Sequence, residues 1–153
     1  MSFRRSALAV AGGFNPAMGR NGQDGAGCED TEFSIRARRT HPGGRILLEH
    51  GAVCFHRIPE ERSSRRCFRR RCRAEGRSKA VVTRLAGPEA ALQAERAYLT
   101  RVLPRGVMWE LEYVLRGEFA GVCRAWPIVE GTVLTAASYA VTRVCQRLAS
   151  SHS

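Results

Sequence analysis

The clearest hydrophobic pattern in the chain is the stripe Met108, Leu111, Leu115, Phe119, Val122 and Trp126, which recurs at steps of three and four and predicts an amphipathic helix over 107–126, ended by Pro127. A second helix is expected over 88–103. Gly87-Pro88-Glu89 supplies its start, with proline in the first turn and an acid beside the positive helix end, and Leu92, Leu99, Val102 and Leu103 share one side until Pro104-Arg105-Gly106 breaks it. A third, over 128–148, carries Val133, Ala137, Ala140, Val141, Val144 and Leu148 on one face and leaves Glu130, Arg143, Gln146 and Arg147 for solvent. Three helices with short connections predict an antiparallel bundle over 87–149. A core of that size supplies only about 3–5 kcal/mol, so a partner helix, a second copy or a lid is expected to complete it.

Upstream the periodicity changes. Residues 45–58 alternate, R-I-L-L-E then His50-Gly51 then A-V-C-F-H-R-I before Pro59, which reads as a β-hairpin over 44–60 turning at Gly51. Its second strand places Cys54, His56 and Ile58 on one face and Val53 and Phe55 on the other. Residues 11–27 hold six glycines and read as a flexible linker within a disordered tail over 1–43. Over 61–86 the arginines Arg62, Arg66, Arg70 and Arg73 would share a helical face, but like charges four apart oppose a helix, so this segment is expected to be disordered when free. The expected fold is therefore mainly α: a C-terminal three-helix bundle preceded by a short β-hairpin and a disordered, arginine-rich N-terminal half.

Charge sharpens this division. Of the net +11, almost all lies in residues 1–87, with eighteen basic residues against eight acids; residues 88–153 carry seven against six. From Arg62 to Arg77 eight arginines meet one acid, Glu75. Such a block faces water or a polyanion. A basic arm on a nearly neutral body is the distribution of a nucleic-acid binder. The expected phosphate-contacting set is Arg62, Arg65, Arg66, Arg69, Arg70, Arg71, Arg73 and Arg77, with Phe68 stacking on a base. Arginine outnumbers lysine 24 to 1, which suits bidentate phosphate recognition. The bias extends to uncharged Gly and Ala, however, so GC-rich base composition takes the larger share of it.

Candidate chemistry is sparse. Cys54, His56, Cys67 and Cys72 offer four ligands that a tetrahedral Zn²⁺ would accept, although neither cysteine pair has C-x2-C spacing and flanking arginines repel a cation. Those same arginines would lower the thiol pKa values, giving reactive cysteines at Cys67 and Cys72 as the competing reading. Apart from that zinc, no cofactor is implied. Gly117-x-x-x-Gly121 points to close helix packing, and no Ser/His/acid set is formed, so an enzyme is not expected.

The six cysteines are expected to be reduced thiols. The acid-free first 23 residues, with Arg4, Arg5 and Arg20, have the composition of a mitochondrial transit peptide, and no stretch is long enough to span a bilayer. The expected location is soluble and intracellular, with the mitochondrion suggested by that N-terminus.

Three functional readings follow. The first is a small nucleic-acid-binding accessory protein, for RNA or DNA. The second is a helical assembly subunit, organellar or homodimeric, that docks through Met108, Leu115, Phe119 and Trp126. The third is an orphan reading frame from GC-rich DNA with no selected biochemical role.

Overall fold

The computed structural model describes residues 2–16, 18, 27–47 and 49–151. It is mainly helical: α1 (Arg5–Ala11), α2 (Glu29–Thr40), a 3-10 turn (Glu60–Ser63), α3 (Arg65–Ala86), α4 (Pro88–Ala97), a π turn (Tyr98–Val102), α5 (Leu103–Leu115) and α6 (Ala120–Ser150). No β-strand is present among the described residues.

Helix α3 overturns the expectation of disorder for the arginine-rich segment. Its first turn is capped by the Ser64 hydroxyl, which accepts from the Cys67 amide at 3.2 Å, and its last by Gly87, whose φ of 80° is the left-handed conformation that glycine takes without strain. Each pair of like charges four apart opposes the helix by about 0.2–0.5 kcal/mol. Burial of Cys67, Ala74, Gly76, Ser78, Ala80, Val82, Thr83 and Ala86 over the rest of the circumference opposes that repulsion.

The long helix α6 is the main partner of α3, and the two run parallel. Arg65 and Arg69 meet Glu130, Phe68 and Cys72 lie against Gly131, and Gly76 meets Thr135, Ser138 and Tyr139, so both residue numbers rise along the contact. Polar ties cross the same seam: the Thr135 hydroxyl donates to the Cys72 carbonyl at 3.2 Å and the Ser138 hydroxyl to the Arg73 carbonyl at 2.7 Å. Helix α5 packs antiparallel on the N-terminal part of α6. There Gly121 abuts the Glu110 carbonyl, Gly106 faces Ile128, and Arg124 pairs with Glu110 at 2.8 Å while lying over the Tyr113 ring.

The predicted three-helix bundle over 87–149 is therefore not formed. Pro127 does not end a helix; it lies inside α6. An internal proline costs about 3 kcal/mol or more, and packing of α6 on both α5 and α3 works against that penalty. Pro104 likewise opens α5 instead of breaking a helix, because a first-turn residue needs no amide donor.

The predicted hairpin over 44–60 is also absent. Its described residues make only local turns, such as the Ala52 amide to the Glu49 carbonyl at 3.2 Å, and Ile46, Leu47, Val53, Phe55 and Ile58 are exposed. Two strands with no third strand or helix to cover a face are only marginally stable. Leu48 lies outside the described residues.

The tail is more ordered than its glycine content suggests. Phe3, Phe14 and Phe33 form an aromatic cluster in which Phe33 is 0% exposed, and the Arg36 guanidinium ties α2 to the end of α1 through the carbonyls of Ala11 and Gly13. Most of the predicted glycine linker, at 17 and 19–26, lies outside the described residues. A small core of Met18, Val82, Ala86 and Ala91 joins these elements to α3 and α4. Beside it Lys79, the single lysine, bridges Glu75 at 3.0 Å and Glu95 on α4. Burial alone would lower its pKa; the two carboxylates more than offset that and raise it.

Candidate nucleic-acid interface

With residues 65–86 helical and packed, the arginines are sorted by direction. Arg66, Arg70, Arg73, Arg77 and Arg84 follow one another at steps of four, three, four and seven, so they share one face and form a ridge about 27 Å long. All five are exposed, and none makes an ion pair among the described residues. The one acid of α3, Glu75, is on the opposite side, against Lys79 and the Cys28 thiol.

Arg65 and Arg69 differ from their neighbours. Both are held by Glu130, whose carboxyl they keep below its usual pKa by hydrogen bonding and by charge. A depressed carboxylate pKa stabilises the fold above the unfolded value of about 4.5 and loses that contribution as pH falls through the lower folded value. Glu130→Gln should release both arginines to solvent while the chain stays folded. Oligonucleotide affinity is then expected to rise, with the salt slope steeper by up to about 1.4 for two added single-strand contacts. Anisotropy titrations at several salt concentrations check this, and an unchanged slope would mean the freed guanidiniums reach no phosphate.

The other expected site residues are dispersed. Arg62 is exposed in the 3-10 turn, and Arg71 is exposed but more than a quarter-turn from the ridge. Phe68 does not project for stacking: its ring lies against Gly131 of α6, 2.9 Å from the position a Cβ would take.

The expected zinc ligands are not assembled. Cys67 is buried, Cys72 is half-buried, and five positions on a helix set them about 140° apart. Cys54 and His56 are exposed on the preceding coil, and no group of three or more His, Cys, Asp or Glu side chains able to hold a metal ion occurs among the described residues.

The reactive-thiol reading of Cys72 is reversed as well. Burial raises its pKa, against a smaller lowering by the Thr135 hydroxyl. Cys28 is pushed up to about 12 by burial and by Glu75. No disulfide joins any of the six cysteines.

The expected docking residues divide between two helices and the turn joining them. Met108 (69% exposed) and Leu115 (88%) point outward from α5, Phe119 (77%) lies in the turn, and Trp126 (56%) is on α6. Gly121 does pack closely against α5, as the Gly117-x-x-x-Gly121 spacing suggests. Gly117 instead takes a φ of 90° at the end of α5.

A cleft at the far end of the ridge is the feature that the sequence reading missed. It encloses about 480 Å³ between the C-terminal ends of α3 and α6 and is lined by Arg84, Arg143, Gln146, Arg147, Ala149 and Ser150. Arg84 is eighteen residues after Arg66, five turns on, so the ridge was visible once the helix was continued past Gly76. The approach of Arg143 and Arg147 depends on the parallel pairing of α3 with α6.

No protein-family model matches the chain, and comparison with curated proteins and with solved structures gives no match either. Among the described residues no helix is long and apolar enough to cross a membrane.

Proposed function

We propose that this chain is a small nucleic-acid-binding protein without catalytic activity of its own, which holds the phosphate backbone of RNA or DNA along the arginine ridge of α3. One observation carries the reading: five exposed arginines share one face of a helix whose other faces are packed. A ridge held in place loses less side-chain and backbone freedom on binding than a disordered arm does, and guanidinium forks suit phosphate oxygens. Contacts of this kind are indifferent to base sequence. With about five phosphates neutralised on a single strand, log K should fall against log salt with a slope near −3.5. Binding that ignores salt would remove the reading.

A second reading rests on a different face. Helix α6 packs α5 and α3 on one side, while Trp126, Val129, Val133, Val144 and Leu148 are exposed on another. A helix apolar on nearly all sides is normally covered. A second copy of this chain fits that face. Val129 and Val144 are equidistant from the midpoint of Ala136 and Ala137, so two α6 helices paired antiparallel would lay large residues on large ones and small on small. Sedimentation equilibrium of the full chain should give a dimer that Val133→Glu with Val144→Glu converts to monomer. A parent chain that sediments as a monomer at all concentrations would exclude it.

A further inference from the structure

We propose that the cleft between the C-terminal ends of α3 and α6 is a phosphate-binding subsite, which extends the arginine ridge onto a second helix and takes one phosphate group of the bound nucleic acid. This rests on the functional reading above.

The cleft lies at the end of the ridge, since Arg84 belongs to both. Across it, α6 contributes Arg143 and Arg147 one turn apart, and no carboxylate is among the lining residues. The Gln146 side chain accepts from the Arg143 guanidinium at 3.3 Å, which leaves the rest of that fork free to point elsewhere. Three guanidiniums from two helices can thus converge on one anion, each able to donate in bidentate fashion. The volume of about 480 Å³ is within the range of small-ligand pockets.

A simpler account exists. Because α3 and α6 run parallel, their negative ends lie side by side, and Arg84 and Arg147, each in a last turn, offset those dipoles. That account covers two of the three arginines. It leaves Arg143, a turn further back on α6, without a role.

The test uses the full chain and a fluorescent single strand of about 12 nucleotides, within the usual span of single-strand sites. Arg143→Gln with Arg147→Gln is expected to weaken binding about tenfold and to flatten the salt slope by about 1.4, for two lost contacts. Arg84→Gln should give roughly half that change in slope without altering α6. Strands with and without a 5′-phosphate separate the sources: a loss confined to the phosphorylated strand assigns the cleft to a terminal phosphomonoester, and an equal loss to an internal phosphodiester. The proposal is overturned if the cleft variants bind like the parent while Arg66→Gln with Arg70→Gln binds weakly, since the ridge then acts alone. If the Arg66/Arg70 variant also binds like the parent, with the same slope, the functional reading fails as well.

Discussion

Leucine at position 76 is expected to force α3 off α6. In an isolated helix, replacing a central glycine by leucine or alanine would stabilise by about 0.8–1 kcal/mol. Here a Cβ on Gly76 would run into the Thr135 carbonyl and lie 2.9 Å from both Ser138 Cβ and the Tyr139 amide nitrogen. Two of those three atoms belong to the α6 backbone and cannot turn aside as a side-chain end could, so the helices must move apart. Overpacking of this kind costs about 1–3 kcal/mol, and Gly76→Leu should fall at the upper end. Gly76→Ala should be less stable than the parent by about 1 kcal/mol, the reverse of its effect in a free helix. Urea unfolding followed by circular dichroism measures both variants. An alanine variant more stable than the parent would show that the two backbones do not meet at this position.

The same residue explains why the sequence was only partly legible. A helical stripe is read from large apolar side chains, and the α6-facing side of α3 has few: Gly76 and Ala80 bury there as small residues that allow close approach. Their partners on α6, Gly131, Thr135 and Ser138, are equally inconspicuous. The large apolar residues that do stand out, Met108, Leu115, Phe119 and Trp126, are mostly exposed, so the strongest pattern in the chain pointed away from its main contact. Local punctuation was more reliable where one residue decides the geometry. Gly87-Pro88 marks the α3 to α4 junction, and Gly121 marks a close helix crossing. Proline misled at 104 and 127, because its effect depends on how far into a helix it falls and on what that helix packs against. The arginine block was legible as charge, but which guanidiniums face solvent was not, since Glu130, more than sixty residues downstream of Arg69, withdraws two of them.

Removing three charges from the ridge should reduce nucleic-acid binding far more than removing three from elsewhere in the same block. Arg66, Arg70 and Arg73 lie on the exposed face, whereas Arg65 and Arg69 are committed to Glu130 and Arg71 points more than a quarter-turn away. The triple variants Arg66/Arg70/Arg73→Gln and Arg65/Arg69/Arg71→Gln have the same net charge, so any long-range attraction falls equally in both. A disordered polycation would lose the same affinity in either case. A fixed ridge would not: the first variant gives up three phosphate contacts, flattens the single-strand salt slope by about 2 and binds roughly 10- to 100-fold more weakly. The second loses few direct contacts, so its slope should change by less than about 1. Far-ultraviolet circular dichroism confirms that α3 persists in each, as expected when exposed arginine gives way to another good helix former. Equal losses in the two variants would return the segment to a sequence-indifferent basic arm, and no difference from the parent in either would place nucleic acid elsewhere on the molecule.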